Sequence, residues 1–129
     1  MIHRPLTWAR RVFGAAGIVG LLMLLPHYFL FETIGRDYPP AITHPEFFYG
    51  FIGVAVAWQF AFLVIARDPA RYRLLMIPAV LEKLSFGVAA LILFAQQRIP
   101  APALAGGLLD LVWAALFLVA FLRWTSPDR

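Results

Sequence analysis

The chain has no cysteine, and charged residues make up only 14% of its 129 residues. The first absence excludes disulfides, thiolate metal sites and thiol redox chemistry. The scarcity of charge excludes an ordinary water-soluble domain, in which roughly a quarter of the residues are charged. Because 62% of the residues are hydrophobic, too little polar surface exists to cover a globule in water. Most of this protein is therefore expected to face the lipid bilayer.

Acidic residues are also few, with 7 Asp and Glu against 11 Lys and Arg, which gives a formal net charge of +4. A basic chain can be a nucleic-acid binder, but such proteins cluster their basic residues in a stripe or patch. Here nearly all of the basic residues stand at the ends of apolar runs, which is the pattern of membrane proteins. The sequence therefore predicts no nucleic-acid partner.

Four apolar segments are present, over residues 12–31, 47–66, 74–95 and 103–122. Each has about 20 residues, which is the length of helix that crosses a hydrocarbon core roughly 30 Å thick. Lipid offers no hydrogen-bond partners to the backbone, so these segments must be helical. The predicted fold is all-α: one polytopic membrane domain over residues 1–129, built as an antiparallel bundle of four transmembrane helices.

Arginines are distributed unevenly between the two ends of these segments. Two of them, Arg36 and Arg98, lie on one side, and eight lie on the other: Arg4, Arg10, Arg11, Arg67, Arg71, Arg73, Arg123 and Arg129. By the positive-inside rule the richer side faces the cytoplasm, and Trp8 and Trp124 are placed on that side as interfacial anchors. The sequence thus predicts a multi-pass membrane protein with both termini in the cytoplasm.

Three ionisable residues interrupt the apolar segments at mid-membrane depth: Glu82, Lys83 and Asp110. Each is expected to cost about 2.5–3.5 kcal/mol on insertion scales, and such residues usually mark a functional site. Gln59 in the second segment falls at a depth close to that of Glu82. A structural alternative is that Lys83 pairs with Asp110 or Glu82 and only holds the bundle together. If Lys83 pairs with Asp110, Glu82 is expected to lack a dedicated cation.

Two further residues complete the candidate site. Ser85 follows Glu82 by three residues and so lies on the same side of the helix. Trp113 follows Asp110 by three residues, and with Phe117 it could form the wall of an apolar pocket. The sequence therefore predicts a site for a lipophilic ligand or a proton, formed by Gln59, Glu82, Lys83, Ser85, Asp110 and Trp113.

His27 and His44 are secondary candidates for a site at the outer face, with Glu32, Asp37 and Glu46 nearby in sequence. Their spacing matches no metal motif, so no metal is expected. A haem held by two intramembrane histidines is disfavoured, because only His27 lies within a predicted span. No cofactor and no catalytic residue are predicted.

The third and fourth segments, with the sequences LEKLSFGVAALILF and GLLDLVWAALFLVAF, together with the four-span layout, resemble small bacterial membrane proteins of the DoxX-like class. This resemblance implies a four-helix bundle of the inner membrane and assigns no functional residue. The layout is also similar to that of small multidrug resistance exporters. The essential acid of that family lies in the first helix, whereas here the first span contains no acid.

Three functions are compatible with this pattern. The protein could bind or transport a small lipophilic molecule or a proton through the Glu82, Lys83 and Asp110 cluster. It could instead be an accessory subunit that packs against a larger membrane complex or forms a homodimer. The third possibility is a membrane enzyme that acts on a lipid-soluble substrate with the same groups.

Overall fold

The computed structural model describes residues 4–123, and over this range the chain is helical and contains no β-strand. The all-α prediction is therefore confirmed for the described part of the chain. The predicted anchor Trp124, the basic residue Arg129 and the two ends of the domain predicted over 1–129 lie outside it.

Four of the helices are long and apolar enough to cross a membrane, as the hydropathy of the sequence predicts. The helices are α1 (Arg4–Leu24), the short α2 (Phe31–Asp37), α3 (Pro45–Arg67), α4 (Met76–Ala95) and α5 (Ala101–Arg123). Two 3₁₀ segments, Leu25–Phe29 and Arg73–Leu75, continue the end of α1 and precede the start of α4. The second, third and fourth predicted spans agree with these bounds to within a few residues.

The first predicted span differs most from the helix that contains it. Helix α1 begins at Arg4 and not at residue 12, because the arginines that precede the apolar run are themselves helical. Pro26 has no N–H to donate, and the chain tightens into the 3₁₀ segment Leu25–Phe29 around it. The segment between the first two predicted spans contains most of α2, and the ring centroid of Phe31 lies 5.6 Å from that of Tyr49 of α3.

The spanning helices pack as two antiparallel pairs, α1 with α3 and α4 with α5. Small residues allow the helix backbones to approach closely, as is usual where lipid surrounds a bundle. In the first pair Gly14 lies opposite Ala66, and Gly17 lies opposite Leu63. In the second pair a Cβ atom added to Gly87 would lie 3.0 Å from the carbonyl oxygen of Gly107. The two glycines are therefore required for the close approach of α4 and α5.

The two pairs meet through aromatic rings contributed by three helices. Phe13 of α1 stacks on Phe117 of α5 with ring centroids 4.2 Å apart, and Phe62 of α3 meets Phe117 edge-on at 4.9 Å. All three side chains are fully buried. Such offset and edge-to-face arrangements are favourable for aromatic rings. We call the half of the bundle around these rings, which also contains Ala9, Met76, Ala79 and Ala120, the packed half.

The other half of the bundle is not filled in this way. Helices α3 and α4 make few contacts with each other, and the contacts between α1 and α5 lie towards the start of α1 and the end of α5. The two helix pairs therefore diverge beyond the aromatic rings. We call this region, which contains Gly20, Phe51, Phe86 and Leu109, the cavity half.

Candidate functional site

Lys83 lies at the boundary between the two halves and is buried on α4. Its ammonium donates a hydrogen bond to Asp110 Oδ1 on α5 at 3.3 Å. Glu82 Oε2 lies 3.7 Å from the same nitrogen. The ammonium also lies 5.2 Å from the centre of the Phe62 ring, a distance at which a cation and an aromatic face attract each other. One lysine therefore has two carboxylates and one aromatic ring as neighbours.

The positions of these residues follow from the packing of α4 and α5. Because the helices are antiparallel, the close contact of Gly87 with Gly107 places Lys83 and Asp110 opposite each other, about one turn further along. Neighbouring residues on a helix point about 100° apart, and for this reason Glu82 was expected to lack a cation when Lys83 pairs with Asp110. Glu82 has no cation of its own in the structure, but its Oε2 lies 3.7 Å from the Lys83 ammonium, so the two carboxylates share one lysine.

Gln59 is fully buried on α3 and lines the same cavity as Glu82, Lys83 and Asp110. Its amide nitrogen Nε2 donates a hydrogen bond to the carbonyl oxygen of Ala55, one turn earlier, at 2.8 Å. Its oxygen Oε1 faces Gly20 of α1, at a place where any side chain on Gly20 would collide with it. Within residues 4–123, neither Gln59 Oε1 nor Glu82 Oε2 receives a hydrogen bond. Two buried acceptors are thus unsatisfied among the residues that line the cavity.

A cavity of about 550 Å³ extends from this cluster into the cavity half. A volume of this order is typical of sites for small molecules. Its wall is mostly apolar and includes the side chains Val19, Met23, Leu24, Phe51, Phe86, Leu109 and Trp113. The polar groups Gln59, Glu82, Lys83 and Asp110 belong to the same lining. The arrangement is an apolar cavity with a small group of charged residues where it meets the packed half.

The structure brings five of the six predicted site residues to this cavity: Gln59, Glu82, Lys83, Asp110 and Trp113. Ser85 is not among them. Its hydroxyl donates a hydrogen bond to the carbonyl oxygen of Glu82 in its own helix, at 2.9 Å, and its side chain is exposed. Phe117, which was predicted to form the pocket wall with Trp113, instead belongs to the aromatic rings of the packed half.

The two histidines occupy different places. His27 lines the cavity from the 3₁₀ segment after α1, and its Nδ1 donates a hydrogen bond to the carbonyl oxygen of Met23 at 2.7 Å. His44 precedes α3, is exposed, and has Glu46 Oε1 at 3.3 Å from its Nδ1. No group of three or more His, Asp or Glu side chains in the described range is arranged to hold a metal ion.

A second, shallower cavity of about 420 Å³ lies on the other side of the wall between α3 and α4. Phe51 and Phe86, whose ring centroids are 5.6 Å apart, line both cavities, as do Ala55 and Glu82. Val54 and Leu81, on the second cavity alone, have exposed side chains. The second cavity is therefore bordered both by residues of the main cavity and by side chains on the surface of the bundle.

The sequence reasoning missed Phe51, Phe86 and Leu109 as parts of the cavity lining. A signal for Phe86 was present, because it follows Glu82 by four residues and so shares its helix face. Leu109 and Phe51 carried no such signal, since apolar residues are expected at every position of a span.

Comparison with protein-family models, with curated proteins and with solved structures finds no match for this chain. The resemblance to DoxX-like proteins therefore stays a prediction.

Proposed function

We propose that this protein binds a small lipophilic molecule in the cavity, with the polar end of that molecule at Glu82, Lys83 and Asp110. The observation that carries the proposal is the position of the three charged residues. They lie where a cavity of about 550 Å³ meets the packed half, and they belong to the cavity lining. A lipophilic molecule would place its apolar part along the Phe86, Leu109 and Trp113 surfaces.

A purely structural role for the charges accounts less well for the arrangement. One carboxylate would neutralise one buried lysine, yet Lys83 has two acidic neighbours. Burying an ion pair gains little stability, because the loss of hydration offsets the attraction. A structural pair also needs no adjoining cavity. The surplus carboxylate and the space beside it favour a role in binding.

The proposal concerns ligand binding, and transport would also require the packed half to open. The packed half closes the bundle with Phe13, Phe62 and Phe117, all fully buried. A ligand could cross to that side only if these rings separated. The carboxylates are also suited to carry a proton, for which the cavity would supply water.

The test is whether the purified protein retains a lipophilic molecule in this cavity. We expect organic extracts of the protein, analysed by mass spectrometry, to contain such a molecule in stoichiometric amount. The variant Leu109→Trp fills the cavity and should abolish retention. The matched control Leu108→Trp changes the adjacent residue, which is exposed and does not line the cavity, and should retain it. Equal retention by both variants would contradict the proposal.

We also propose that the packed half is the cytoplasmic half and that the protein resides in a bacterial inner membrane, as the resemblance to the DoxX-like class implies. The support is the distribution of arginines along the described helices, since α1 begins, and α3 and α5 end, with arginines on that side. Reporters fused at both termini and within 68–72 should report cytoplasm, and a tag beside Asp37 should be periplasmic. A cytoplasmic tag at Asp37 would reverse the orientation.

A further inference from the structure

We propose that the polar end of the ligand is a protonated amine, so that the ligand class is lipophilic ammonium ions. This inference rests on the proposed function and assigns the chemistry of the same site. Its basis is the formal charge around the cavity. Lys83 is the only Lys or Arg among the lining residues, and it faces the two carboxylates Glu82 and Asp110. With all three groups ionised, the cluster carries one net negative charge.

The exposure of these groups points the same way. The Lys83 side chain is only 6% exposed, whereas the side chains of Glu82 and Asp110 are 16% and 18% exposed. The ammonium lies beside the Phe62 ring and the two carboxylates. The acidic side chains are therefore more accessible than the lysine side chain. An anionic head group, such as a carboxylate, would be repelled.

The hydrogen-bonding capacity of the lining is also unbalanced. Glu82 Oε2 receives no hydrogen bond from residues 4–123, and neither does Gln59 Oε1. His27 uses Nδ1 to donate to a carbonyl oxygen, so in its neutral form the other ring nitrogen is an acceptor. Two buried oxygens of the lining thus lack a donor from the described residues. A primary ammonium group brings three N–H donors and the positive charge that the second carboxylate lacks.

The experiment compares three probes with the same alkyl chain: dodecylamine, dodecanol and dodecanoate. The protein is held in nanodiscs of phosphatidylcholine, whose zwitterionic surface does not itself favour either charge. Binding is measured by native mass spectrometry as the bound fraction at each probe concentration, with empty nanodiscs as the blank. We expect dodecylamine to bind at least about ten-fold more tightly than dodecanol, which corresponds to one charge-assisted hydrogen bond, and dodecanoate to bind most weakly.

Two variants separate the head-group preference from general binding. Glu82→Gln removes the surplus charge and keeps the shape of the side chain, so it should reduce the preference for dodecylamine over dodecanol to about two-fold or less. The control Glu46→Gln removes a carboxylate that is exposed and does not line the cavity, and should keep the full preference. Helical content and elution volume of each variant confirm that it is folded.

The outcomes are distinct. Equal binding of dodecylamine and dodecanol, or an unchanged preference in folded Glu82→Gln, would overturn the ammonium inference and leave the proposed lipophilic site intact. Tighter binding of dodecanoate would overturn it as well. Failure of all three probes to bind any folded form would overturn the inference together with the proposed function.

Discussion

The two halves of the bundle are built from the same kinds of residue and differ in what fills the space between the helices. In the packed half, Phe13, Phe62 and Phe117 occupy that space completely. In the cavity half, the aromatic residues Phe51, Phe86 and Trp113 line a space that no side chain fills. The buried lysine lies where the two halves meet. The packed core and the proposed binding site thus occupy different parts of one small bundle.

This difference explains how a chain of 129 residues tolerates a cavity and three mid-membrane charges. In lipid, helix association depends on close packing more than on the burial of apolar surface. The packed half provides that packing between the two helix pairs, and the contact of Gly87 with Gly107 provides it within one of them. The cavity half can therefore diverge without separating the helices.

The largest expected effect on stability comes from removing one aromatic ring from the packed half. Phe62→Ala removes a fully buried ring and should lower the free energy of unfolding by about 3 kcal/mol or more, the usual cost for a core Phe. The matched change Phe51→Ala, at a residue that is 51% exposed, should cost much less stability while weakening probe binding. Thermal denaturation in detergent measures both. Equal losses of stability would remove the distinction between the halves.

The next largest effect on stability is expected at the charged residues between the packed half and the cavity half. Asp110→Asn removes the hydrogen-bonded partner of Lys83 and should destabilise the protein by about 1.5–3 kcal/mol. The loss is limited because Glu82 stays 3.7 Å from the ammonium. Adding Lys83→Met to Asp110→Asn should restore part of the stability, since no unpaired buried cation is then left. If the effects of the two changes simply add in a double-mutant cycle, the residues do not interact.

A smaller effect tests the contact that aligns α4 with α5. A Cβ atom at Gly107 would collide with that of Ala90, whereas a Cβ at Gly106 would lie 3.8 Å from the Phe86 ring, an ordinary contact. Gly107→Ala should therefore destabilise the protein by about 1 kcal/mol or more, and Gly106→Ala should be tolerated. Chemical unfolding of the two variants side by side checks this. A greater loss for Gly106→Ala would argue against the described helix contact.

The smallest effect is expected at Ser85, the predicted site residue that the structure places outside the main cavity. Its hydroxyl bonds to its own helix backbone and is exposed. Ser85→Ala should change stability by no more than about 0.5 kcal/mol and leave dodecylamine binding unchanged. A clear loss of binding in the same native mass spectrometry assay would place Ser85 in the site after all.

Hydropathy was sufficient to predict the four spanning helices, because a segment that crosses lipid must be both long and apolar. It could not give the start of α1, since arginines continue a helix beyond the apolar run, nor the short helix α2. The convergence of Gln59, Glu82, Lys83 and Asp110 on one space followed from their similar depths, and that of Trp113 from its spacing after Asp110. Depth alone did not show that Glu82 also reaches Lys83, because that depends on the conformation of one side chain.

The cavity itself could not be predicted from the sequence. Phe117 and Trp113 are four residues apart on α5, yet Phe117 is buried in the packed half, whereas Trp113 packs against that half and also lines the cavity. Which aromatic residue meets a neighbour depends on where the two helix pairs diverge. That divergence is a property of the whole bundle and has no local signal in the chain.

Photoaffinity labelling tests the central claim, that a lipophilic ligand occupies the cavity half, most directly. A twelve-carbon amine with a diazirine in the middle of its chain would be irradiated with the protein in nanodiscs, and the modified residues mapped by peptide mass spectrometry. The account predicts adducts on Phe86, Leu109 and Trp113 that disappear in Leu109→Trp and persist in Leu108→Trp. Adducts confined to lipid-facing residues such as Leu108 and Leu118, unchanged by Leu109→Trp, would contradict it.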